Sequence, residues 1–256
     1  MLGLVPAASA ACAPTRTLIA HGYGAPDDLA IDRGRILFSD EPRGILAAAE
    51  GGRVRVLARG LRGPEGIVVR SHGRVVVAEQ ALNRIVELQL ASGRRTTLVS
   101  IPNRTGRLGI DGLAPAPHGG IYIPDSPHGR LLLLDRTRHL YVLARGMGRP
   151  VGAVRFKGGV AVADETSQAV WQIVGGRTRR LATVPTPDDV VVFKGHLLAV
   201  TLGDGSLWEI APRRRRLLSG FGDPQGLAVM GGGVVIADSR ANAIYRVSGI
   251  GSCFSP

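Results

Sequence analysis

Short apolar runs separated by polar or glycine-containing turns fill this chain from end to end. The pattern is clearest near the end. Pro224-Gln225-Gly226-Leu227-Ala228-Val229 is followed by Gly233-Val234-Val235-Ile236-Ala237-Asp238, then by Ala243-Ile244-Tyr245-Arg246-Val247. The same phrase occurs at 64–69, 74–79 and 84–88, and again at 150–154, 160–164 and 169–173. Runs this short, rich in Val and Ile and bounded by turn residues, predict β-strands. No stretch shows the 3.6-residue period of a helix.

Three columns fix the repeat. The first opens an apolar run: Asp27, Glu65, Asp111, Val151, Asp188 and Gln225, spaced by 38, 46, 40, 37 and 37. The second closes the next run: Asp40, Glu79, Asp125, Asp164, Thr201 and Asp238, spaced by 39, 46, 39, 37 and 37. The third is apolar: Leu46, Val86, Leu132, Trp171, Trp208 and Tyr245. The first two series agree, so the chain holds six repeats with one insertion. Repeats of about forty residues made only of strands and tight turns predict an all-β fold, a six-bladed β-propeller of four-stranded antiparallel blades.

A fourth strand is expected at 54–58, 95–99, 140–144, 179–183 and 215–219. The sixth repeat has no room for one after Val247. Arg16-Thr17-Leu18-Ile19-Ala20 has the same character and precedes Asp27, so the N-terminal strand is expected to close the last blade. This arrangement hides two sheet edges. It also brings Cys12 and Cys253 together, where a disulfide would replace the missing turn; the alternative is two free thiols on frayed ends. Residues 15–256 are read as one propeller domain. Residues 1–14 are read as a signal-like or disordered segment, with Ala8-Ser9-Ala10 resembling a cleavage site. Export to a secreted or periplasmic location follows from that segment and from the disulfide.

Composition adds a face. The net charge is +12, and Lys157 and Lys194 are the only lysines. Arg53 and Arg55, Arg94 and Arg95, Arg136 and Arg138, Arg177 to Arg180, and Arg213 to Arg216 all fall in turns between third and fourth strands. They should stack on one face and leave the acidic columns on the other. Aromatics make up 4% of the chain and do not interleave with the basic clusters, so specific nucleic-acid binding is not expected. No run reaches the ~20 apolar residues of a membrane span. A monomer is expected.

The first column marks the entrance of the innermost strands, so Asp27, Glu65, Asp111 and Asp188 should crowd one axis, with the pairs Asp27-Asp28 and Asp188-Asp189 adding charge. A hard cation with oxygen ligands, Ca²⁺ above all, would relieve their repulsion. The alternative is that each acid bonds its own loop backbone. The second column is read as structural, capping turn amides. His21 and His128 lie on acidic-face loops and are the histidines placed for acid–base work, although an ordinary surface role is the simpler reading. The chain has no G-x-S-x-G, H-E-x-x-H, C-x-x-C or phosphate loop. Asn103-Arg104-Thr105 has the pattern of a glycosylation acceptor.

The phrase from Pro224 to Val247 resembles the NHL-repeat propellers and the six-bladed superfamily of gluconolactonases (the SMP-30 type), paraoxonases and strictosidine synthase. The resemblance covers residues 15–253. It implies a channel-mouth Ca²⁺ held by acids opening the innermost strands, here Asp27, Asp111 and Asp188, with Asp188 also in the position of the general base. Arg107-Leu108-Gly109-Ile110-Asp111-Gly112 is similar to the family's R-x-N-D-G stretch, with Ile110 in place of the substrate-contacting Asn. Val151 stands where the fourth-blade Asn ligand is expected, leaving Glu65 to substitute. Two functions follow. One is a calcium-dependent lactone or ester hydrolase acting on a small molecule, with Asp188, His128 or His21 activating water. The other is a non-catalytic binding propeller that grips a small molecule or a protein partner.

Overall fold

The computed structural model describes residues 12–103 and 106–254. Residues 1–11, including Ala8-Ser9-Ala10, and Arg104-Thr105 of the acceptor pattern lie outside the described residues. Strand β1 (Thr15–His21) precedes five blades taken in order. The first is β2 (Leu29–Asp32), β3 (Arg35–Asp40), β4 (Ile45–Glu50) and β5 (Arg53–Arg59); the second is β6 (Pro64–Arg70), β7 (Arg74–Glu79), β8 (Arg84–Gln89) and β9 (Arg94–Ser100). The third is β10 (Ala114–Pro115), β11 (Ile121–Asp125), β12 (Arg130–Leu134) and β13 (Leu140–Arg145). The fourth is β14 (Pro150–Phe156), β15 (Gly159–Asp164), β16 (Ala169–Val174) and β17 (Arg177–Thr183). The fifth is β18 (Pro187–Phe193), β19 (His196–Thr201), β20 (Ser206–Ala211) and β21 (Arg215–Ser219). The sixth is β22 (Pro224–Met230), β23 (Gly233–Asp238) and β24 (Ala243–Ser248), completed by β1 in the order β1-β24-β23-β22.

β1 pairs antiparallel with β24 from Thr15 opposite Ser248 to His21 opposite Ala243. That register carries the chain ends past each other, and Cys12 and Cys253 form a disulfide with their Cα atoms 4.5 Å apart. The free-thiol alternative is thereby set aside.

Apolar clusters lie between neighbouring blades and are strand-alternate in origin. Ala20, Leu29, Phe38, Ile45, Val235 and Ile244 join the sixth blade to the first, and Val151, Ala163, Val170, Val190 and Leu197 join the fourth to the fifth. The insertion in the second-to-third spacing is the segment 101–113. Asn83 pins it, donating from Nδ2 to the Ile101 carbonyl at 2.8 Å and accepting the Ile110 amide at 2.8 Å. Ile110 is fully buried among Val76, Ala78, Ile85 and Ile123. Its side chain belongs to the core.

The second column is structural, as its recurrence within one chain suggests. Asp164 accepts amide hydrogen bonds from Gly148, Arg149 and Ser167 at 2.8, 2.8 and 3.1 Å. Asp238 does the same for Gly222, Asp223 and Ala241 at 2.8, 2.9 and 3.1 Å. Each ties the loop entering its blade to the loop between its second and third strands. A buried carboxylate that accepts several amides is satisfied, which is why it persists in the core.

Candidate functional site: a carboxyl cluster at the channel mouth

In four blades the innermost strand begins with a β-bulge, between Pro64 and Ile67, Pro150 and Ala153, Pro187 and Val190, and Pro224 and Leu227. Bulges re-aim side chains, and these carry the first column. The residue after it is where the inner strands touch. A Cβ on Gly66 would lie 2.3 Å from the Leu113 nitrogen, and one on Gly226 would lie 2.3 Å from the Asp27 carbonyl oxygen. Gly112 and Gly152 are confined in the same way by the blades that follow them. In blades one and five an aspartate takes the glycine's place. Asp28 accepts the amides of Leu29 and, across the blade gap, of Ile67 at 2.7 and 2.8 Å. Asp189 accepts those of Val190 and Leu227 at 2.7 and 2.9 Å. The ring is thus stitched by backbone contact at four junctions and by a carboxylate at two.

The first-column acids meet as expected. Asp27, Asp111 and Asp188 line a cavity of about 10 Å³ with Asp28, Asp189 and Gln225, room for roughly one water. Glu65 is buried beside them and hydrogen-bonds Asp27. Burial dominates their titration. Asp27 is pushed up to about 8, chiefly by burial and further by Asp111, with the Glu65 hydrogen bond opposing. Glu65 is raised well above the usual range by burial and by the Asp27 charge. Asp188 is raised strongly by burial and by Asp111 and Asp27. Asp28 is raised to about 7 by burial against its two amide bonds, and Asp189 is raised by burial and by Asp28. Asp111 is raised by burial, with the charge and hydrogen bond of Arg149 opposing.

Arg149 carries no signal of its own in the sequence. Its Nη2 lies 2.6 Å from Asp111 Oδ2, and its Nη1 contacts Glu165. Gln80 also reaches Asp111, at 3.4 Å. The one available clue is position: Arg149 stands two residues before Val151, the apolar gap in an otherwise polar column.

The donor set suits a hard cation in charge but not in arrangement. Asp111 is engaged by a guanidinium, Asp27 and Glu65 bond each other, and Asp28 and Asp189 bond amides. Among the described residues, no three His, Cys, Asp or Glu side chains are grouped so as to hold a metal ion. The Ca²⁺ ligand shell expected of Asp27, Glu65, Asp111 and Asp188 does not assemble here.

The two histidines sit elsewhere. His21 ends the outermost strand of the sixth blade, exposed beside Tyr23 and Asn242. His128 follows β11, its Nδ1 2.9 Å from Asp125 Oδ1, and Asp125 also takes Arg130 at 2.5 Å. Neither lines the mouth cavity.

No protein-family model and no curated protein sequence matches this chain. Among solved structures, it is similar to a candidate gluconolactonase at 16% identity, covering 92% of each chain with a TM-score of 0.76. A candidate oxidoreductase (glucose dehydrogenase) from Thermus thermophilus shares 17% identity over 92% of this chain and 100% of that one, with a TM-score of 0.77. Virginiamycin B lyase from Staphylococcus aureus shares 11% identity over 92% and 99%, with a TM-score of 0.69. At these identities the likeness shows the six-bladed fold.

Proposed function

We propose that the carboxyl cluster is the acid–base centre of a lactone or ester hydrolase. The observation that carries this is the convergence of Asp27, Asp111 and Asp188 on one small cavity with the buried Glu65 beside Asp27, where burial raises Asp27 to about 8 and shifts Glu65 and Asp188 the same way. Groups that exchange protons near neutral pH are what general acid–base catalysis requires. An ionised carboxylate of the Asp27–Glu65 pair takes the proton of the attacking water. Asp188, whose carboxyl is made harder to ionise by burial and by the neighbouring acids Asp111 and Asp27, donates its proton to the departing alkoxide oxygen. Arg149 supplies a fixed positive charge beside Asp111. No step is routed through a metal. The structural neighbours that include a candidate gluconolactonase support a small lactone as the substrate class. The disulfide supports an oxidising, extracytoplasmic location for the protein.

A second reading is a binding propeller without catalysis. The tightness of the mouth favours it: about 10 Å³ admits no substrate carbonyl without displacement of side chains.

The test is a screen of five- and six-membered lactones and aryl esters, in EDTA and in millimolar Ca²⁺, on wild type, Asp27→Asn and Asp188→Asn. The hydrolase reading expects turnover in EDTA and a loss of about 100-fold or more in either variant, the scale of one acid–base group. Turnover that appears only with Ca²⁺ would return a metal to the site. Turnover that both variants retain would take the chemistry away from these two acids, and none on any substrate leaves the binding reading.

A further inference from the structure

The innermost strands enclose a second and larger space. Past Asp28 and Asp189, away from the acidic mouth, the channel holds about 330 Å³, at the lower end of the range of small-molecule pockets. Beyond Asp28 and Asp189 its lining side chains are apolar, with Ile31, Val69, Pro115, Val154, Val191 and Val229 at its outer level. Val229 is 38% exposed although it faces this bore. The floor offers no strong head-group site, because each carboxylate oxygen of Asp28 and Asp189 already accepts a backbone amide.

The bore does not end in neutral surface. Val69 also lines a recess of about 630 Å³ that holds Arg70, Arg74, His118 and Arg136. One carboxylate, Glu87, serves both Arg70 and Arg74, at 3.2 and 3.7 Å. Two guanidiniums therefore share a single acid where the apolar bore opens, and Arg136 lines the same recess. On the other side of the third blade, a recess of about 420 Å³ adds Arg155 and Lys157. Cationic charge at the rim and apolar walls within define a ligand of opposite charge and matching polarity.

We propose that this end of the channel binds a single-chain anionic amphiphile, with its alkyl chain in the bore and its head group in the recess of Arg70, Arg74 and Arg136. The site is separate from the carboxyl cluster and independent of whether that cluster is catalytic.

The test is calorimetric titration of the full chain with octanoate, decanoate and dodecanoate below their micelle concentrations, against decanol and decyltrimethylammonium. Burial of each added methylene should tighten binding about fourfold until the bore is full. Decanoate should bind at least about tenfold more tightly than the cationic amphiphile, and the advantage should shrink in high salt. Arg136→Glu should weaken decanoate about tenfold or more and leave the chain-length dependence unchanged. Val229→Trp, which fills the bore from an exposed position, should abolish the chain-length dependence while the melting temperature stays near wild type. The proposal is overturned by absence of decanoate binding, by equal or tighter binding of the cationic amphiphile, or by indifference to Val229→Trp. Attachment only to vesicles of anionic phospholipid, with no soluble ligand bound, would also overturn it, since that would be contact with the Arg-rich face and not with the channel.

Discussion

The guanidinium of Arg149 is held between Asp111 and Glu165, with Nη2 2.6 Å from Asp111 Oδ2. It is a cation supplied by the chain itself at the rim of a crowded set of acids. Removing it leaves Asp111 buried beside Asp27 and Asp188 with no opposite charge, and breaking such a pair is far costlier than never forming it. Arg149→Met should therefore lower stability by about 3 kcal/mol at pH 8. The loss should be smaller at pH 5, where Asp111 can take up a proton. Denaturant melts at the two pH values measure this, and equal losses at both would show that Arg149 matters only for packing.

The raised acids set a pH dependence whose direction can be worked out. Asp27 titrates near 8 in the folded protein against an ordinary value of 3.8, and Glu65 and Asp188 are shifted the same way. A group that holds its proton more tightly when folded favours the folded state below its unfolded value, and that contribution is lost as pH rises toward 8. Asp164 runs oppositely. Burial pushes it up, but the amides of Arg149 and Gly148 and the bonds from Ser167 bring it below the usual range, so its contribution is lost in acid. Melting temperature should peak in mildly acidic buffer and fall by several degrees toward pH 8.5. Asp27→Asn should flatten the alkaline side, a gain of a few kcal/mol at pH 8.5 with little change at pH 5. An alkaline side equally steep in the variant would remove Asp27 as its cause.

The Cys12–Cys253 bond closes a loop of 241 residues. In the chain-entropy account it stabilises the fold by up to about 5 kcal/mol. Cys253→Ser and reduced wild type should melt together, well below the oxidised protein. Adding reductant to the variant should change nothing. Coincident melting of oxidised wild type and variant would mean that the pairing of β1 with β24 alone holds the ring shut.

Much of this was legible in the chain because a propeller repeats its own sentence. The columns at Asp40 to Asp238 and Leu46 to Tyr245 located every blade, and the absent sixth outer strand pointed to residues 16–20. The site was less legible because what matters there breaks the repeat. Asp28 and Asp189 occupy a column of glycines that exists because inner strands touch backbone to backbone, and only the folded ring shows their carboxylates crossing to Ile67 and Leu227. Ile110 reads as a lost substrate contact and Val151 as a missing ligand, yet both are buried core residues. Arg149 lies outside every column, and its role depends on a contact 38 residues away in sequence. The acid cluster itself followed from topology. Whether an acid in it faces a cation or a neighbouring proton depends on ångström-scale placement that spacing does not encode.

The closure of the sixth blade also decides how the molecule would bear force. Tension applied outside Cys12 and Cys253 runs from one sulfur to the other without entering the sheets. While that bond is intact, the six blades carry no load and the propeller is a passive bead on its own chain. Once it is reduced, the same pull falls on β1 and β24, and the register from Thr15–Ser248 to His21–Ala243 becomes the first line to yield.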